Sequence, residues 1–136
     1  MSIKEILNST KTIVIVGCSS KPTRTSYRIA KYLADAGFTI IPVNPNEDSV
    51  LGQSCYPQIS DIPDDIEVDM VDIFRNSQYT AKMVKEIIEW ADESGQKPVI
   101  WTQIGVSSDE AKTLAEANGF TYIEDKCLMV EHGRAG

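Results

Sequence analysis

The chain has 136 residues, a formal charge of −7, three cysteines and one histidine. That length suits one domain with a sizeable core. The acidic balance argues against nucleic-acid binding, which normally needs a basic face. Cys18, Cys55 and Cys127 are scattered and odd in number, which argues against a disulfide framework or a metal cluster and for a reducing, cytoplasmic setting.

The N-terminal MSIKEILNSTK has no apolar run long enough for a secretion signal or a membrane span. The spacing of Ile3, Ile6 and Leu7 predicts a short helix lying against the body of the domain. Thr12-Ile13-Val14-Ile15-Val16 is β-branched throughout and predicts a strand covered on both faces. A helix carrying Ile29, Ala30, Leu33 and Ala34 follows, closed by Gly37. Residues 38–43 predict the second strand. Its Pro42 cannot donate to a central ladder, which places it at the strand end or at an irregularity. Residues 46–67 are rich in Asp, Pro, Ser and Asn and predict a long connection with a short element or two.

Val68 to Phe74 predicts a third strand. Lys82 to Glu93 predicts an amphipathic helix with Met83, Ile87, Ile88 and Trp90 inward. Pro98 to Trp101 predicts a fourth strand, Asp109 to Asn118 a helix closed by Gly119, and Phe120 to Ile123 a short fifth strand. The rest, Glu124 to Gly136, is expected to be a polar tail with a mobile end. Strands alternating with helices imply right-handed crossovers: an α/β fold with a doubly wound, five-stranded, mainly parallel sheet and helices on both faces.

In such a sheet ligands bind beyond the carboxyl ends of the strands, where strand order reverses. The loop after the first strand reads Gly17-Cys18-Ser19-Ser20-Lys21-Pro22-Thr23-Arg24-Thr25-Ser26-Tyr27-Arg28. Gly17 permits a sharp turn and a close backbone approach. Ser19, Ser20, Thr23, Thr25 and Ser26 offer hydroxyls, and a helix beginning near Thr25 favours an anion. Lys21, Arg24 and Arg28 cluster at that helix start, against its dipole. An anionic ligand would resolve the conflict, so the loop points to phosphate. The dinucleotide fingerprint G-x-G-x-x-G is absent, and no acid closes the second strand at Val43-Asn44-Pro45, so NAD is disfavoured. A P-loop is also absent.

Taken in order, these strings resemble the stand-alone CoA-binding proteins, small relatives of the CoA-binding domain of the succinyl-CoA synthetase α subunit. The matching pieces are Gly17 to Tyr27, Pro42-Val43-Asn44-Pro45, Gly52 with Tyr56-Pro57, Val71-Asp72-Ile73-Phe74-Arg75, Trp101-Thr102-Gln103-Ile104-Gly105 and Asp125-Lys126-Cys127. The resemblance covers nearly the whole chain. It implies a Rossmann-like domain that binds coenzyme A non-covalently, with no catalytic residue of its own. By the same resemblance Gly17, Cys18, Ser19, Ser20 and Lys21 form the diphosphate loop, supported by Arg24 and Ser26. Val43, Asn44 and Pro45 would pack on the adenosine. Phe74, Arg75, Gln103 and Gly105 would lie beside the nucleotide or the pantetheine arm. Relatives often carry a base just after the Asn-Pro step; here Asn46 and Glu47 stand there.

A phosphohistidine has no place in this reading, since in the synthetase that residue belongs to a second domain, and His132 is expected at the surface. Cys18 has two readings: a thiol activated by the helix start and the cations, or a small buried packing residue. Asp69, Asp72 and Lys126 fall short of a receiver-type phosphoacceptor, because the acidic pair after the first strand is missing. Arg75 is read as either a ligand contact or a salt bridge, and Trp101 as core. The alternatives to a CoA-binding module are an NAD(P)-dependent reductase, a small CoA ligase or transferase component, and a redox protein S-thiolated by CoA at Cys18 or Cys127. The expected partners are CoA itself and an acyl-CoA enzyme, with the chain a monomer or a homodimer.

Overall fold

The computed structural model describes residues 2–135. Met1 and Gly136, the outer ends of the predicted N-terminal segment and tail, lie outside the described residues. The chain begins with α1 (Ile3–Ser9), whose first turn is closed by a capping box between Ser2 and Glu5. Then come β1 (Thr12–Val16), α2 (Thr25–Asp35) and β2 (Thr39–Val43). Residues 46–67 hold a two-stranded hairpin, β3 (Ser49–Val50) and β4 (Gln53–Ser54), and one 3-10 turn. Next are β5 (Met70–Ile73), α3 (Ser77–Ser94), β6 (Val99–Thr102), α4 (Asp109–Ala117), β7 (Tyr122–Ile123) and α5 (Leu128–Ala135).

The main sheet has the order β2-β1-β5-β6-β7, and every neighbouring pair in it is parallel. It is the Rossmann-like α/β architecture expected from the sequence. Side chains alternate across the pleat. Val14, Val16, Ile41, Val71, Ile73 and Ile100 face α3 and α4, where they meet Val84, Ile87, Trp90, Ala111 and Ala115. Ile13, Ile15, Ile40, Met70 and Trp101 face the other way, onto Ile6 and Leu7 of α1, Ile29 and Leu33 of α2 and Leu128 of α5. Trp101 is fully buried and its indole donates to the Lys126 carbonyl at 2.8 Å.

Pro42 sits inside β2, opposite Ile15 of β1, and is tolerated because β2 is the outer strand. Residue 42 turns its backbone away from β1. Its carbonyl accepts Tyr56 N–H at 3.1 Å, while Asn44 N–H donates to the Tyr56 carbonyl at 2.9 Å. No bond at that edge needs an N–H from residue 42.

Three expectations need correction. The helix placed at Lys82 to Glu93 starts five residues earlier, at Ser77, because its first turn is polar and carries little apolar periodicity. The tail is not an open polar end: it forms α5, which lies against α1 and α2. Leu128 anchors it in the core. His132, expected at the surface, is half-buried between Tyr32, whose hydroxyl lies 2.8 Å from Nδ1, and the ring of Phe38.

Candidate functional site

Strand order reverses between β1 and β5. The chain leaves β1 for β2 on one side and returns to β5 on the other, so the loops after β1 and β5 diverge and leave a crevice. Gly17 and Phe74 are the first residues past these two strands. Gly17 has φ +82°, and a Cβ there would stand 2.2 Å from the Phe74 carbonyl oxygen. Its N–H donates to the Val43 carbonyl at 2.7 Å, and Phe74 N–H donates to the Val16 carbonyl at 2.9 Å. Glycine therefore lets the ends of β1, β2 and β5 close on one another. Beyond them opens a cleft of about 1190 Å³, above the roughly 300–1,000 Å³ of ordinary small-molecule sites.

The loop after β1 is braced by its own hydroxyls. Ser26 Oγ accepts Ser19 N–H at 3.0 Å, and Ser19 Oγ accepts Lys21 N–H at 3.0 Å. Both hydroxyls act here as acceptors, which leaves their protons free for a ligand oxygen. Arg24 is the N-cap of α2 and gives it no side-chain cap, and no acid stands in the first turn. The opening amides of α2 and its positive dipole end therefore face the cleft beside Lys21 and Arg24. Among the described residues Lys21, Arg24 and Arg75 have no carboxylate within 4.0 Å.

The other strand ends contribute unevenly. Asn44 spends its amide on the protein: Nδ2 donates to the Cys18 carbonyl at 3.0 Å, and Oδ1 accepts Asn46 N–H at 2.9 Å. It ties the loop after β1 to the turn after β2. Phe74 and Arg75 line the cleft, and the Arg75 guanidinium lies 5.5 Å from the centroid of the Tyr79 ring. Of the two readings for Arg75, the salt bridge is therefore the one not formed. Gln103 lines the cleft but is mostly buried, and its Oε1 accepts Leu128 N–H at 3.2 Å, holding the start of α5.

The structure thus gathers Gly17, Ser19, Lys21, Arg24, Ser26, Asn44, Phe74, Arg75 and Gln103 around one cleft. Gly105 lines an adjoining hollow with Arg75 and Ile104. Ser20 and Pro45 lie exposed beside the cleft rather than in its wall. Cys18 and Val43 are core residues at 0% and 3% exposure, so their side chains are withheld from a ligand. Burial pushes the Cys18 thiol up to about 12, which overturns the activated-thiol reading: the helix start and the cations do not outweigh the missing water. Sequence reasoning missed Tyr79, Ile104 and Val106 as parts of the wall. Tyr79 was legible in principle, standing four residues after Arg75 where a helix begins.

A family model described as CoA binding domain matches residues 11–133. The chain belongs to the CoA-binding domain family. It is 38% identical over 130 residues to the uncharacterized protein YneT of Bacillus subtilis, covering 96% of this chain and 91% of that one. It is 31% identical over 104 residues to the ADP-forming acetate–CoA ligase II of Archaeoglobus fulgidus, a match that takes in 75% of this chain but 15% of the ligase. Among solved structures, a hypothetical protein from Pyrococcus horikoshii superposes with a TM-score of 0.88 at 37% identity, covering 98% of this chain and 89% of that chain. The CoA-binding domain is thus matched both along a protein of similar length and within a much longer ligase. No helix among the described residues is long and apolar enough to cross a membrane.

Within this CoA-binding domain the Cys18 and Cys127 thiols should separate by reactivity. Cys127 lines the cleft and is half-buried, whereas Cys18 is sealed beneath it. Alkylation with iodoacetamide, followed by peptide mass spectrometry, is expected to mark Cys127 well before Cys18. Prompt labelling of Cys18 in the native protein would contradict its burial.

Proposed function

We propose that this chain binds coenzyme A without catalysing a reaction on it, through the loop after β1. The carrying observation is the set of three cations without carboxylate partners, Lys21, Arg24 and Arg75, around a cleft that also receives the uncapped start of α2. Cations gathered against a helix dipole fit a polyanionic ligand. Gly17 supplies the close backbone approach that a diphosphate needs.

In this reading Ser19, Ser20, Lys21, Arg24 and Ser26 meet the diphosphate. Asn44 and Pro45 shape the adenosine side, Asn44 by positioning the loop. Phe74, Arg75 and Tyr79 flank the rest of the nucleotide, and Gln103, Ile104 and Gly105 flank the pantetheine arm. Coenzyme A would supply its thiol as an acyl carrier, and the residues named here would bind and orient it. The ligase of which this domain matches one part suggests an acyl-CoA enzyme as protein partner.

Calorimetry with coenzyme A, dephospho-coenzyme A and NAD tests the reading. Coenzyme A is expected to bind and NAD to fail; the reverse result would refute the proposal and favour the reductase. Lys21→Ala and Arg24→Ala are each expected to weaken coenzyme A binding by about 1–3 kcal/mol, the scale of a charge-assisted hydrogen bond. Unchanged affinity in both would remove the loop from the site.

A further inference from the structure

The loop that this reading assigns to phosphate already faces an anion, and that anion belongs to the chain. Past β2 the backbone turns sharply. Asn46 N–H donates to Asn44 Oδ1 at 2.9 Å, and Glu47 N–H donates to the Asn44 carbonyl at 3.3 Å. The turn brings the Glu47 side chain to the loop after β1, where the Ser20 N–H donates to Glu47 Oε2. Hydrogen bonding from Ser20, helped by the charge of Lys21, holds the Glu47 carboxyl below the usual carboxylate range.

Two further features make this contact more than a surface pairing. Among the described residues of the cleft wall, Glu47 is the lone carboxylate, set among the cations Lys21, Arg24 and Arg75. Yet it forms no ion pair with any of them within 4.0 Å and settles instead on a loop amide. A carboxylate on a backbone N–H uses the same donor geometry that a phosphate oxygen would use.

We propose that Glu47 is an internal counter-anion: it occupies the anion seat at the Ser20 amide in the ligand-free protein and must leave when a ligand phosphate enters. The proposal rests on the reading of the loop as a phosphate site. Glu47 then sets a threshold that every phosphate ligand has to exceed at this seat. A small anion gains little more at the amide than Glu47 gives up. A ligand that also engages Lys21, Arg24 and the far walls of the cleft recovers the loss many times over. The occupied seat thus lowers the affinity of both by the same factor, which the extended cofactor, with its further contacts, can bear.

The test compares the wild type with Glu47→Gln and Glu47→Ala, titrated calorimetrically with coenzyme A and with inorganic pyrophosphate. Glu47 is exposed enough for both variants to fold. Both are expected to bind each probe roughly tenfold more tightly, the value of removing one charged competitor for a hydrogen bond. The Ser20 amide resonance in a ¹⁵N-labelled sample should shift in Glu47→Gln without ligand. In the wild type it should shift when coenzyme A is added. Equal affinity in the variants would overturn the proposal. Weaker binding of coenzyme A would overturn it too, making Glu47 a partner for a ligand hydroxyl. If the wild type ignores coenzyme A while Glu47→Gln still gains affinity for pyrophosphate, the counter-anion stands and the coenzyme A reading falls.

Discussion

Gly17→Ala is expected to lower stability by about 2–5 kcal/mol, combining a left-handed backbone that alanine resists with overpacking against fixed main chain. The clash is with the Phe74 carbonyl oxygen, 2.2 Å from the new Cβ. Neither side can yield easily. Gly17 is held by its bond to Val43, and Phe74 by its bond to Val16. The ends of β1, β2 and β5 would have to part, and the loop they position would lose its seat. Gly37→Ala is the control. Gly37 has φ +103° but nothing within 4 Å of an added Cβ, so only the backbone cost of about 1–2 kcal/mol applies there. Denaturant midpoints of the two variants should therefore differ, with Gly17→Ala the lower. Equal losses would mean that the contact with Phe74 relaxes freely. Where Gly17→Ala still folds, its coenzyme A affinity should fall further than that of Lys21→Ala.

The elements legible in the sequence are those whose residues carry their own signal. The β-branched run of β1 and the glycine after it placed the central strand and its loop, because a strand buried on both faces admits only apolar residues. The helix start at Thr25 was legible for the same local reason. What escaped depends on contacts between distant segments. α5 fully buries only Leu128 and carries a glycine within its eight residues, so its helical state comes from docking on α1 and α2, and a sequence window cannot register that. The cations after β1 were visible at once, but the use of Asn44 as a strut between two loops was not. Its partners, the Cys18 carbonyl and the Asn46 amide, are backbone atoms with no trace in the residue pattern. Cys18 is the sharpest case. Its neighbours in sequence suggest an activated thiol, whereas its neighbours in space are Ile15, Ile29 and their cluster, and burial decides.

Asp72 should make stability fall as pH rises, and Asp72→Asn should remove that slope. The residue lies in β5 on the face toward α1, α2 and α5, flanked in the sheet by Ile15 and Trp101. Its side chain has 0% exposure, and neither carboxyl oxygen finds a hydrogen-bond partner. Burial alone raises its pKa well above the ordinary value. Below about pH 4 the acid is protonated in both folded and unfolded chains and favours neither. Above that, the unfolded chain releases the proton while the fold retains it, so the unfolded chain gains. The loss runs at up to about 1.4 kcal/mol per pH unit until the folded-state pKa is passed, after which it stops growing. Asparagine has the same shape and no proton to hold. Other carboxylates shape the full pH profile of both proteins, so the difference between wild type and Asp72→Asn isolates this one. Urea midpoints of the two proteins are expected to lie close together near pH 4. They should diverge in favour of Asp72→Asn toward neutral pH. A constant difference across that range would mean that Asp72 ionises in place with a partner, and the buried acid beneath the loop would have to be charged.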